Sequence, residues 1–145
     1  MGSETCIRDR YKDSFLKVKN EGINITIHAG EGDGVHSIQE DLDNGAKRIG
    51  HGVRIIEDIN DDNQLGPTAD HVLQNNIPLE VCITSNIHTN MYKNPQDHPI
   101  SRLHNLGFNI SLNTDNRLMS NTSICLLYTS PSPRDATLSR MPSSA

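Results

Sequence analysis

The sequence predicts an α/β fold, a partial TIM (β/α)8 barrel, on three observations. Two segments alternate apolar and polar residues with the period of a strand. Helical stretches fall between these and two shorter strand candidates. Polar residues capable of chemistry end the strand candidates at intervals that suit a strand–helix–strand crossover. A whole barrel takes about 250 residues. The chain has 145, enough for about four of the eight units.

Each element has its own warrant. In Ile23-Asn-Ile-Thr-Ile-His28, the residues Ile23, Ile25 and Ile27 share one face, and Asn24, Thr26 and His28 the other. Short strands are expected around Arg48-Ile49-Gly50 and from Pro78 to Ile83. Phe108 to Asp115 alternates again, with Phe108, Ile110 and Leu112 set against Asn109, Ser111, Asn113 and Asp115. Helices fit Ser37 to Asn44, about Ala69 to Asn75, and Ile100 to Leu106, with Gly45 and Gly107 placed as C-terminal caps. The polar strand ends His28, His51, Ser85 and Asp115 are 23, 34 and 30 residues apart. Side chains at the C-terminal ends of parallel strands are how a TIM barrel builds an active site.

Composition narrows the function. Thirteen basic against 18 acidic residues, net charge -5, argue against a nucleic-acid footprint. No apolar run approaches the ~18 residues of a membrane span, and the first residues lack the apolar stretch of a signal peptide. Hydrophobic residues make up 34% and aromatics 3%, which is lean for a core closed on all sides. Cys6, Cys82 and Cys125 form no Cys-x-x-Cys, so neither a disulfide framework nor a thiolate zinc site is indicated. A reducing, cytoplasmic setting is expected. His36, His71, His88, His98 and His104 show no metal-ligand spacing and are read as surface residues. Asp58, Asp61 and Asp62 are read as a solvated acidic loop.

Three segments carry candidate chemistry. His28-Ala-Gly-Glu31 joins a potential metal ligand to a carboxylate across a flexible glycine; alone it equally describes a polar surface loop. Gly50-His51-Gly52 sets a second histidine between glycines, which let a ligand approach the backbone or simply turn the chain. Asn113-Thr-Asp-Asn116 either ends a strand in a site or forms an Asx turn. Their occurrence at consecutive strand ends favours a site.

In order and spacing, Ile25–Glu31, Arg48–Arg54, Pro78–Asn86 and Asn113–Ser120 resemble the adenosine deaminases of the amidohydrolase superfamily. Asn113-Thr-Asp-Asn-Arg-Leu-Met-Ser120 is closest to their bacterial branch. The resemblance covers about Tyr11 to Ile124 and implies the C-terminal half of the barrel only, strands five to eight with their helices. It implies Zn2+-dependent hydrolysis of adenosine or 2'-deoxyadenosine to the inosine product and ammonia. His28 and Asp115 would be zinc ligands and Glu31 the proton donor to the purine N1. His51 would orient the attacking water, with Asn116 and Gly30 against the substrate. Glu31 must then hold a proton near pH 7, so burial should raise its pKa.

Two departures stand out. Ile83 replaces a proline usual in the family, and no His-x-His pair occurs, although the family draws two zinc ligands from one. The resemblance therefore also implies that a missing N-terminal half-barrel is required, and that this chain alone is inactive. The alternatives are another purine deaminase of the superfamily, such as an adenine deaminase, and a non-enzymatic barrel remnant that binds a partner. Adenine deaminases tend to carry Asp where this chain has Gly50.

The two ends read differently from the middle. Cys125–Asp135 looks like a translated transposase adapter of the kind used in sequencing libraries, and Gly2–Arg10 resembles the same adapter on its opposite strand, with one mismatch at Thr5. Residues 1–10 and the Ser- and Pro-rich residues 125–145 are accordingly expected to be non-native and outside the packed structure. Natural sequence would run over residues 11–124.

Overall fold

The computed structural model describes the backbone of residues 4–129 and the side chains of residues 11–127. The chain runs α1 (Glu4–Asn20), β1 (Ile25–Ala29), α2 (Val35–Asp43), β2 (Ala46–His51), α3 (Pro67–Gln74), β3 (Leu79–Val81), α4 (Ile83–His88), α5 (Ile100–Asn105), β4 (Ile110–Leu112), α6 (Arg117–Ser120) and α7 (Ile124–Thr129). Two 3-10 turns, Val53–Asp58 and Pro95–Asp97, interrupt the connections. The strands form one parallel sheet in the order β1-β2-β3-β4. Helices follow each strand, as in part of a (β/α) barrel. Among the described residues, no helix is long and apolar enough to cross a membrane.

The register explains how so lean a composition supports a core. Ile27, Ile49, Leu79 and Ile110 are aligned across the four strands. This row packs on Ile38 of α2, Val72 of α3 and Leu103 of α5 in one cluster. Each fully buried Ile, Leu or Val contributes about 1.5–3 kcal/mol. The next row, His28, Gly50, Glu80 and Ser111, faces the opposite way. That face carries polar residues: Thr26, His28, Arg48 and Ser111 are exposed, and Arg48 pairs with Glu80 at 2.9 Å. Only one face of the sheet must be apolar, so the alternating pattern suffices.

Both long strand expectations begin two residues early, for one reason. The leading hydrophobic residue closes the preceding helix. Gly22 (φ 69) and Gly107 (φ 90) take the left-handed conformation that ends α1 and α5. The following N–H then turns back: Ile23 to the Val18 carbonyl and Phe108 to the Leu103 carbonyl, both 3.2 Å. This is the Schellman arrangement, which satisfies carbonyls left open at a helix end. Asn76 (φ 50) does the same after α3, with Ile77 N–H to Val72 at 3.0 Å. Gly45 (φ 94) follows α2 as expected.

Other expectations are corrected. Ser85 does not end a strand: β3 stops at Val81 and Ser85 lies within α4. The Leu79–Val81 pattern is too short to continue once Cys82 leaves the extended region at ψ 79. Asp58 is not merely solvated, since its carboxylate accepts the Ala69 N–H at 2.8 Å and caps α3 from outside. Apart from these corrections, the backbone of α1 continues across residue 10. At the other end, α7 starts at Ile124, with Leu127 buried and Ile124 and Leu126 exposed. The expectation for residues 130–145 lies outside the described residues.

Candidate active site

Three strand ends turn through the left-handed region where the candidate residues sit. Gly30 (φ 63) follows β1, His51 (φ 61) and Gly52 (φ 65) end β2, and Asp115 (φ 55) lies beyond β4. A non-glycine residue held there costs about 1–3 kcal/mol, offset by the surrounding bonds, and such residues cluster at functional sites. Here Gly52 N–H bonds the Ala29 carbonyl at 2.9 Å, Arg54 N–H the Gly30 carbonyl at 3.1 Å, and Asn113 N–H the Val81 carbonyl at 2.9 Å.

These turns bring His28, His51 and Asp115 to one open cleft of about 300 Å³, with Gly50, Glu80 and Cys82 also lining it. The His28 and His51 rings are 5.3 Å apart between centroids, tilted by 50°. A Cβ on Gly50 would stand 3.2 Å from His28 Cγ and 3.3 Å from its Nδ1, so the His28 ring rests on that glycine. Glu31 stands beside this group, its Oε2 3.4 Å from His51 Nε2. Ser85 Oγ donates to Asp115 Oδ2 at 2.6 Å, which orients the carboxylate.

The remaining predicted residues have local jobs. Gly30 is buried, its N–H bonded to Ser37 Oγ at 2.9 Å. A Cβ there would meet Ile38 Cδ1 at 2.6 Å. Asn116 caps α6: its Oδ1 accepts from Leu118 N–H and Met119 N–H, both at 3.1 Å.

Electrostatics divide the titratable groups. Burial raises the Glu31 pKa above its ordinary value, and the charge of Asp115 raises it further, against opposing pulls from His28 and the Ser85 hydroxyl. The Cys82 thiol is pushed up to about 12 by burial and by Asp115, Glu31 and Glu80, so it is no nucleophile at neutral pH. The cleft thus concentrates negative charge around an imidazole, a donor set that suits a cation. Among the described residues no three His, Cys, Asp or Glu side chains are grouped to hold a metal ion. His28 and Asp115 are two donors, short of the three usual for catalytic zinc.

Sequence reasoning missed three supporting residues. Ser37 ties the turn after β1, accepting from Gly30 N–H and donating to the Gly34 carbonyl at 2.8 Å. Asn86 is fully buried, its amide nitrogen 3.3 Å from His51 Nδ1. His98 is not a surface residue: it is 4% exposed, with Nε2 3.2 Å from Asn86 Oδ1. The Tyr92 ring covers it, with centroids 4.9 Å apart. Spacing carried no sign of this, since His98 touches neither a strand end nor a second histidine.

Comparison with known proteins identifies the family. The family model described as "Adenosine deaminase" matches residues 2–139. Adenosine deaminase 1 of Streptomyces coelicolor is 47% identical over 120 residues, covering 79% of this chain and 30% of the relative. The adenosine deaminase of Mycobacterium tuberculosis strain H37Rv is 43% identical over 122 residues, covering 81% and 33%. An Arthrobacter aurescens adenine deaminase structure superposes with a TM-score of 0.72 at 24% identity, over 81% of this chain and 34% of that one; this likeness is one of fold. An Arabidopsis N6-mAMP deaminase structure gives 0.65 at 28% identity, over 81% and 32%. The chain spans about a third of the length of these relatives.

One expectation is overturned. The family resemblance does not stop at residues 11 and 124, between foreign ends, as the half of a barrel alone: the match takes in nearly the whole chain. Aperiodic, Ser- and Pro-rich sequence shows only that a segment is no amphipathic element, and says nothing of where it came from. The four motifs, the cleft they line and the match over residues 2–139 place this chain in the adenosine deaminase family.

Proposed function

We propose that this chain supplies part of the active site of a cytoplasmic, zinc-dependent hydrolase that converts adenosine or 2'-deoxyadenosine to the inosine product and ammonia. The observation that carries the reading is Glu31, a carboxyl whose proton is favoured by burial, set 3.4 Å from His51 beside the cleft of His28 and Asp115. In this reading β1 to β4 are strands five to eight of the barrel. The rest of the barrel, with its own ligands, is a required partner, and neither nucleic acid nor membrane takes part.

His28 and Asp115 would hold zinc, with Ser85 keeping the Asp115 carboxylate turned to it. The chemistry the ion supplies when bound is a water acidified to a pKa of about 7. As water adds at the purine C6, Glu31 gives its proton to N1 and regains one from the water. The amino group then leaves as ammonia with the proton of the new hydroxyl. His51 orients the water. Asn116 uses its oxygen as a cap, which leaves the amide nitrogen as the half that donates to the purine N7. Gly30 would meet the substrate with its backbone, since the core leaves no space for a side chain there: a Cβ would lie 2.6 Å from Ile38 Cδ1.

Adenosine is favoured over adenine by Gly50. A Cβ on Gly50 would press on the His28 ring at 3.2 Å, so the acidic side chain expected of an adenine deaminase would have to displace that ring. The test completes the barrel with the remaining units of the Streptomyces coelicolor relative and follows adenosine and adenine by ultraviolet absorbance. Zinc-dependent loss of adenosine, suppressed by Glu31→Gln, is the expected result. A folded, zinc-loaded barrel that leaves adenosine untouched would refute the reading.

A further inference from the structure

A buried line of polar groups runs from the backbone of α5 to the cleft, and one fixed donor sets its direction. The Ile100 N–H bonds His98 Nδ1 at 3.2 Å. A backbone amide can only donate. His98 Nδ1 therefore accepts, and the ring carries its proton on Nε2. Burial supports this neutral form by lowering the His98 pKa to about 4. His98 Nε2–H, as donor, faces Asn86 Oδ1 at 3.2 Å. That settles which end of the Asn86 amide points where. Its NH2 group turns the other way, to His51 Nδ1 at 3.3 Å and Met91 Sδ at 3.5 Å. His51 Nδ1 must then accept. Its ring proton sits on Nε2, the atom 3.4 Å from Glu31 Oε2.

We infer that His98 is a positioning residue: through Asn86 it holds His51 in the Nε2–H tautomer, so that His51 presents a donor, not a base, to Glu31. His98, Asn86 and His51 are all buried, so water does not compete for these bonds. Reversing the Asn86 amide would set its NH2 against the His98 Nε2–H and its oxygen against a lone pair on His51. Buried like-with-like contacts of that kind are rare in folded proteins. One consequence reaches the chemistry. The His51 Nε2–H then faces Glu31 Oε2 at 3.4 Å, and a proton on that oxygen would meet it head on, so the acid proton of Glu31 belongs on its other oxygen. The tautomer thereby selects which oxygen is able to donate to the substrate. Only this last consequence rests on the proposed deaminase reading.

The test is nitrogen NMR on the chain labelled with 15N-histidine, where long-range proton–nitrogen correlations identify each tautomer. At pH 7, His98 and His51 should both be Nε2–H. A Nδ1–H tautomer at either would overturn the inference. His98→Phe removes the donor and keeps bulk, so His51 should shift toward Nδ1–H. His98→Gln, whose amide nitrogen reaches the Nε2 position, should restore it. Asn86→Asp offers no donor to His51 and should drive its Nδ1 to the protonated form, giving a second route if His98→Phe does not fold. A His51 spectrum unchanged in Asn86→Asp would again refute the coupling. In the completed barrel, His98→Phe should lower kcat about 10- to 100-fold, as loss of an outer partner of a site residue typically does, with KM within a few fold and recovery in His98→Gln. Correct tautomers in a barrel that turns over no purine would sink the deaminase reading and leave this inference standing.

Discussion

Gly30→Ala should be among the most costly single-atom changes in this fold, for two separable reasons. Gly30 has φ 63, where an L-residue costs about 1–2 kcal/mol. The new methyl would also lie 2.6 Å from Ile38 Cδ1 and 3.3 Å from the Gly52 carbonyl carbon. Ile38 is 0% exposed within the core, so the clash resolves only by moving packed groups, at about 1–3 kcal/mol. Together these reach about 2–5 kcal/mol, a large share of the 5–15 kcal/mol that holds a typical domain. Gly22→Ala is the control, with φ 69 but nothing within 4 Å of its Cβ; it incurs the conformational cost alone. Ile38→Val removes the clashing Cδ1 atom. The double substitution should therefore be destabilised by less than the sum of its parts, a coupling expected only of groups in contact. Urea unfolding followed by circular dichroism, with midpoints compared at constant m, measures the parent and all four variants. If Gly30→Ala costs no more than Gly22→Ala, or the double variant is additive, the packing argument fails.

Four further outcomes follow from the site. Because the His98 pKa falls from 6.5 to about 4 in the fold, its contribution is complete above pH 6.5 and is lost as pH drops toward 4, by about 3 kcal/mol; thermal melts should show that acid loss in the parent and a flatter profile in His98→Gln. Glu31 behaves oppositely. Its folded pKa is raised, so its contribution is present below the ordinary value of 4.5 and is lost as pH rises through the folded value; Glu31→Gln should gain stability over the parent with rising pH, and parallel pH profiles would remove the basis for a protonated Glu31. The same variant in the completed barrel should keep its zinc, read by metal analysis, and lose about 10²–10⁴-fold in turnover. The 145-residue chain alone, given zinc and adenosine, should show no ultraviolet change, since His28 and Asp115 are fewer than three protein ligands.

Much of the fold was legible in the residues taken one after another. Strand alternation in Ile25–His28 and Ile110–Leu112 is a local pattern, and the register preserves it as one apolar and one polar row. His28, His51 and Asp115 were recognisable because strand ends in a parallel sheet gather at one edge whatever the loops do. Helix α1 was not legible, since Lys12, Asp13, Lys17 and Lys19 interrupt any apolar stripe. Ile23 and Phe108 looked like strand residues because a helix-closing hydrophobic residue and a strand-opening one are chemically identical. Their assignment depends on a hydrogen bond five residues back.

What the sequence by itself determined is therefore the layered architecture and the residues gathered at its edge, both consequences of short-range periodicity. The tertiary structure alone decided that His98 is buried, that Ser85 serves Asp115 from a helix 30 residues away, and that Asn86 links two histidines 35 and 12 residues distant. Those facts turn on which side chains meet across the chain, and on the donor–acceptor order a buried backbone N–H imposes where no water is present to reverse it.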